Sequence, residues 1–385
     1  MLRVRSCILA HLVSSPSATY RISPLHRLLS ITAPPVPANP AFAVEDYLVA
    51  TCGLTREQAL KASTKLSHLK SPSKADAVLA FLTDLGLSSA DIAALVAIDP
   101  KFLCTGVERT LSPNVIGLAG LGLSRPEIAG LILLAGLNFR DRSIVPKVRY
   151  YLSLFGSYEM LLRALNRSYN LLGSSLEKVV KPNVAFLREC GLDDCSIRSF
   201  CANVRSILGT KPEHVRAIAA RAEALGVPRG SGMFRQAMQA VACLSEEKIA
   251  IKVEYLKNTL GWSDAEVGIA VCKFPGVLTM SDETLQTKSE CLVSEVGLEP
   301  AYVAQRPVLL GYSLEGRIRP RHYALKFLKE NGLVDHDRDY YSAVMVTEKV
   351  FVEKYISPHK EAAPHLAKDY ADASKGQVPT RFRFA

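Results

Sequence analysis

The sequence predicts an all-α fold, a superhelical solenoid of about eight helix-turn-helix repeats with a period near 35 residues. Three observations carry this. Glycine recurs at Gly53, Gly86, Gly122, Gly156, Gly191, Gly226, Gly261, Gly297 and Gly332, at intervals of 33, 36, 34, 35, 35, 35, 36 and 35 residues. A fixed period of that size marks stacked supersecondary units. Two residues after the glycine stand Thr55, Ser88, Ser124 and Ser263, each followed three residues on by Gln58, Asp91, Glu127 or Glu266, the spacing of a capping box. Six residues after it come Ile92, Ile128, Leu162, Ile197, Val267 and Val303, so an apolar anchor keeps the same phase.

The clearest copy of the unit is Leu260 to Pro275, LGWSDAEVGIAVCKFP. Gly261 suits the left-handed position that closes a helix, Ser263 and Glu266 cap the next one, and Pro275 stops it. The array opens between Pro40 and Leu69, with a helix around Val44 to Val49 and a capped helix from Thr55. Pro72 starts a unit with Val78, Leu79, Leu82 and Leu85 on one face, then Ile92, Leu95, Val96 and Ile98 before Pro100. The third, fourth and fifth units begin at Pro113, Pro146 and Pro182, where proline at the first helical position lacks an N–H that is unpaired there anyway. Val148, Tyr151, Leu152 and Phe155 form the buried face of the fourth, and Val184, Leu187 and Cys190 that of the fifth.

The pattern then weakens. The second helix after Gly191 is polar from Ser199 to Arg205, and Pro228 to Gly232 reads as an inter-helix turn rather than a phosphate loop. The eighth unit ends early at Pro307, a final helix runs from Pro320 to Asn331, and the helical pattern fades after Phe351. The expected organisation is a leader and linker over 1–40, a repeat array over 41–355, and a tail over 356–385 packed loosely on the last repeat.

The leader differs in kind from the rest. It carries Arg3, Arg5, Arg21 and Arg27 among many serines, with no acidic residue before Glu45, and reads as a cleaved organelle transit peptide. The prominent arginines favour a mitochondrion over a plastid. The net charge is +10, and about +6 remains without those arginines, so an anionic partner is indicated for the mature chain too. The most apolar region, Gly117 to Phe139, is interrupted by Arg125, Pro126 and Glu127, so no membrane span is expected.

Enzymatic and metal chemistry find little support. The nine cysteines include no C-x-x-C pair, which argues against a zinc ribbon or a disulfide framework. Gly117 to Gly122 lies inside a helical pattern and is no P-loop, and neither G-x-S-x-G nor H-E-x-x-H occurs. His359 and His365 lack ligand spacing, and Asp335 to Asp339 lacks the glycine and terminal glutamate of a calcium loop. No catalytic residue, metal ligand or cofactor is assigned.

Charge placement is the positive signal. Lysine and arginine concentrate 20 to 26 residues after seven of the first eight glycines, at Lys74, Arg109, Arg142, Lys147, Lys178, Lys181, Lys211, Arg216, Lys248, Lys252, Arg317, Arg319 and Arg321. Stacked repeats would set these in a row, as a nucleic-acid backbone requires. The densest stretch holds Arg306, Arg317, Arg319, Arg321, Lys326 and Lys329 against Glu315 and Glu330.

The period, the Leu-Gly-x-Ser turn, Phe274-Pro275 and above all the segment Arg306-Pro-Val-Leu-Leu-Gly-Tyr-Ser-Leu-Glu-Gly-Arg-Ile-Arg-Pro-Arg321 resemble the mTERF family, the mitochondrial transcription termination factor-like proteins, and its plant branch most. The resemblance implies a solenoid that binds organellar double-stranded DNA, RNA or both through a basic concave face. It implies a non-catalytic role in transcription termination or regulation, or in RNA processing and intron splicing. A protein-interaction scaffold is the reading from a different class. The candidate binding residues are Arg306, Arg317, Arg319, Arg321, Lys326 and Lys329, with Arg142, Lys147, Lys178 and Lys181 from the row. The expected protein is a monomer off the membrane, with other organelle gene-expression proteins as further partners.

Overall fold

The computed structural model describes residues 42–168 and 170–377; the expected leader and linker over 1–40, and the last eight residues of the expected tail, lie outside them. Among the described residues every regular element of the unit Val44–Ala385 is helical, and the architecture is a helical-repeat solenoid. All nine glycines of the series have positive φ, between 66° and 99°. The capping boxes form at Thr55, Ser88, Ser124 and Ser263. In the template unit the Ser263 hydroxyl accepts from the Glu266 N–H at 3.3 Å and the Glu266 carboxylate accepts from the Ser263 N–H at 2.8 Å.

Each unit is more than a pair of helices. The proline that stops the second helix starts a 3₁₀ segment, seen at Pro100–Cys104, Pro275–Thr279 and Pro307–Gly311, and without proline at Gly136–Arg140 and Ile207–Gly209. Two adjacent apolar residues from each proline-led segment plug the core: Phe102 with Leu103, Val277 with Leu278, and Leu309 with Leu310. A 3₁₀ turn of three residues brings consecutive side chains to well-separated directions, so a short segment serves two neighbours.

The first helices also begin earlier than the prolines suggest. Val107–Leu111, Leu176–Val180 and Leu314–Ile318 form wide π turns that lead into the helices Ser112–Ala119, Lys181–Glu189 and Arg319–Glu330, and in the fourth unit the helix starts at Ile144, two residues before Pro146. In each of the three π cases a proline follows the turn by two residues, at Pro113, Pro182 and Pro320. Proline has no N–H for the carbonyl four residues back and would press against it, and widening the preceding turn relieves that conflict.

The weak repeats are held by a close backbone contact. Gly230 donates its N–H to the Cys190 carbonyl at 3.0 Å, and a Cβ on Gly191 would sit 2.7 Å from the Gly230 Cα. The Pro228 to Gly232 turn therefore packs on the preceding repeat. The polar second helix still buries Ile197, Phe200 and Cys201.

The loosely packed tail is a correction. The helix Leu366–Ala373 joins Ala363, Leu366 and Tyr370 to a core with Ala324, Leu325, Leu328, Phe351 and Tyr355. Leu366, Tyr370 and Ala373 lie three or four residues apart on this helix, an apolar stripe that, with Ala363 in the turn before it, packs on the last repeat.

Candidate nucleic-acid interface

A polar side chain on the first helix of most units reaches the carbonyls that end the unit's third segment. Asn114 donates to Phe139 O at 2.8 Å, Lys147 to Leu172 O at 2.6 Å, Asn183 to Leu208 O at 3.0 Å, Lys252 to Met280 O at 2.9 Å and Lys288 to Leu310 O at 2.7 Å. These carbonyls have no partner within their own short helices, and a buried one left bare is costly. Burial draws the pKa of Lys147 and Lys288 below the ordinary lysine value, so both act as structural caps.

A second set of bonds joins one unit to the next. Arg142 donates from Nε and Nη2 to the Arg109 carbonyl at 3.2 and 2.7 Å, Ser174 donates to Gly209 O at 3.1 Å, and Lys273 to Gln305 O at 3.0 Å. Arg109 is the residue four before Pro113, so its carbonyl is one that proline cannot pair.

The sequence-selected cations therefore divide. Arg321 was expected on the surface and is corrected: it is fully buried, donating to Val344 O at 2.8 Å and Val346 O at 2.7 Å and pairing with Glu348 at 2.8 Å. It shares the inner face of its helix with Ala324, Leu325 and Leu328, three, four and seven residues on. Lys147 is likewise a cap. Arg319 sits between Glu295, at 2.8 Å, and Glu315, and these carboxylates raise its pKa while it lowers that of Glu295. Lys329 donates to Arg338 O at 2.9 Å, Lys326 lies 3.9 Å from Glu330, and Lys181 pairs with Glu177 at 2.5 Å.

Arg306 and Arg317 are half-buried and stack on rings, Arg306 at 4.1 Å from the Tyr302 centroid and Arg317 at 4.7 Å from that of Tyr312. Stacking restrains a guanidinium while leaving its donor edges open. Lys178 is exposed and pairs with no carboxylate among the described residues. The structure thus does not gather the Arg306 to Lys329 cations into one patch, because most of them face partners of their own.

What remains open lies where the third segment of one unit meets the first helix of the next. Lys101, Arg109, Arg142, Lys178, Lys211, Arg216 and Lys248 are exposed there. The first helices of neighbouring units pack on one another, as Ser112–Ala119 does on Ile144–Phe155 and Lys181–Glu189 on Pro212–Ala224, and so do consecutive 3₁₀ segments. The junctions consequently follow one another along an edge, each adding the positive end of a helix to its cations. The edge is not uniformly positive: exposed Glu246 and Glu247 precede Lys248, and exposed Asp282 and Glu283 open the helix Asp282–Glu290, where Lys252 is bonded to Asp282. A signal for separating the two kinds of cation was present in the sequence. Lys147, Lys252 and Lys288 stand nine residues before the next glycine, in the same place within one residue as Asn114 and Asn183.

His322 gives a pH signature beside this segment. Its ring is 6.2 Å from that of Tyr340, and burial, with Lys326 nearby, lowers its pKa to about 4. Between that value and the ordinary 6.5 the unfolded chain binds a proton that the native chain does not, so stability is full above pH 6.5 and is lost as pH falls toward 4. The loss is on the order of 2 kcal/mol at pH 5 and about 3 kcal/mol as pH nears 4. Urea unfolding of the wild type and His322→Gln at pH 7.5 and 5 should show a smaller acid loss in the variant.

The family model described as mTERF matches residues 57–351. The chain is 24% identical over 262 residues to a relative named "Transcription termination factor MTERF8, chloroplastic" from Arabidopsis thaliana, which covers 67% of this chain. The alignment spans 51% of that relative, about half its length. With its glycine-phased, capped and proline-punctuated repeats, the chain belongs to the mTERF family.

Proposed function

We propose that this protein is a non-catalytic, nucleic-acid-binding regulator of organelle gene expression that grips duplex DNA by its backbone. The observation that carries the reading is the edge of exposed cations at the helix starts of the third, fifth, sixth and seventh units, Arg109, Lys178, Lys211 and Lys248. Contacts of this kind supply affinity and orientation without base information. The relative's printed name supports transcription termination as the regulated step and a plastid as the compartment, where the leader's arginines favoured a mitochondrion.

The test is binding of the full chain to duplex DNA and to single-stranded RNA across a salt series. The triple variant Lys178→Gln, Lys211→Gln, Lys248→Gln should keep its thermal unfolding, bind duplex more weakly whatever the sequence, and lose about three from the salt slope. Stronger binding to RNA than to duplex would move the reading to RNA processing. Retention of protein partners after nuclease treatment, with neither polymer bound, would replace it with the scaffold.

A further inference from the structure

Among the junctions, the one between the third and fourth units forms a shallow cleft. Arg109, Thr110, Arg140, Asp141 and Arg142 line an open cleft of about 470 Å³. Three guanidiniums from two units border it with one lining carboxylate, Asp141, and a second carboxylate, Asp99, lies behind Arg140. Asp99, almost fully buried, lies 2.7 Å from Arg140 Nε and fixes that side chain. Asp141 accepts the Ser143 N–H at 3.0 Å, at the start of the helix Ile144–Phe155.

The arginines are held in register by a bond between the units. Arg142 uses Nε and Nη2 on the Arg109 carbonyl, which leaves its Nη1 without a bond among the described residues, and Arg140 is held by its ion pair with Asp99. The Arg109 side chain is exposed and has no ion pair among the described residues. The Thr110 hydroxyl adds a neutral donor on the same wall. Two donor groups fixed by backbone and carboxylate partners, with a third free to close over them, suit a tetrahedral anion. No aromatic or aliphatic side chain lines the cleft, so it offers no aromatic face for a base to stack on.

We propose that this cleft takes a single phosphodiester of a nucleic-acid strand lying along the junction edge, with Arg109 closing on it from one repeat and Arg140 and Arg142 from the next. The proposal rests on the nucleic-acid reading above and names the anchoring point within it. Because the Arg142 bond to the Arg109 carbonyl exists only when the two units are stacked, the anchor sets the register of the strand against the array.

Arg109→Gln tests it, since that side chain is exposed and its backbone carbonyl is unchanged. Binding of the full-length variant is measured by fluorescence anisotropy on two duplexes of unrelated sequence, from 50 to about 200 mM salt, with thermal unfolding as the folding check. The expected result is about tenfold weaker binding to both duplexes by the same factor, with a salt slope shallower by about one. Wild-type affinity and slope in Arg109→Gln, alongside a weakened Lys178/Lys211/Lys248 variant, would overturn the cleft and leave the nucleic-acid reading standing. A loss confined to one of the two sequences would replace the phosphate contact with a base contact. If the wild type binds neither duplex nor RNA, the reading beneath the proposal fails first.

Discussion

Arg321→Met is expected to destabilise the end of the array by about 3–5 kcal/mol, the range for removing one partner from a buried charged network. Methionine fills much of the volume but donates to nothing, so the carbonyls of Val344 and Val346 lose their partner. Glu348 loses its ion pair, and the Phe351 ring loses the guanidinium 4.6 Å from its centroid. In a repeat protein the damage stays near its source, because each unit contacts chiefly its neighbours. Hydrogen exchange should show lost protection from residue 340 to 373 and near-native protection before residue 290. Uniform protection throughout would show that the buried arginine is dispensable. A combined Gln substitution of Arg317, Arg319 and Arg321, attractive from the sequence, would therefore confuse a folding defect with a binding defect.

Gly191→Ala is expected to cost about 2–4 kcal/mol, from two separate strains. Its φ of 87° is one that an L-residue adopts at a cost of about 1 kcal/mol. The added Cβ would also lie 2.7 Å from the Gly230 Cα, and backbone on both sides must move to make room. Gly156→Ala is the control. It has the same kind of backbone, with φ 81°, and open space where the Cβ would go, so it should lose about 1 kcal/mol. Denaturant midpoints of the two variants compare them directly. Equal losses would mean that the Gly191 to Gly230 contact yields freely.

These two cases mark how far local pattern reaches. A glycine at a fixed phase announces a left-handed helix end whatever surrounds it, because the steric rule acts within one residue. Whether a neighbouring backbone also lies against it depends on a loop 39 positions later. Arginine 321 shows the same limit for charge. Its sequence neighbours Arg317 and Arg319 suggested a basic turn, yet two residues, about half a turn of helix, separate a guanidinium among carbonyls from one between two carboxylates. Long cationic side chains serve either role, and composition does not distinguish them.

The amino-acid sequence by itself determined the repeat, its length, its caps and its all-α class, since these follow from glycine, serine and proline acting over a few residues. It also held the basic periodicity, and the helical stripe at Leu366, Tyr370 and Ala373 that a fading pattern obscured. Tertiary structure decided which cations stay open. Each third segment ends in carbonyls that need donors, and the nearest long polar side chains, Lys147, Lys252, Lys288 and Arg321, are drawn inward to meet them. Arg109, Lys178, Lys211 and Lys248 stand at the helix starts, where no such carbonyl lies within reach of their side chains, and they remain in solvent. The difference is a matter of hydrogen-bond satisfaction in the packed array, which no reading of charge along the chain contains.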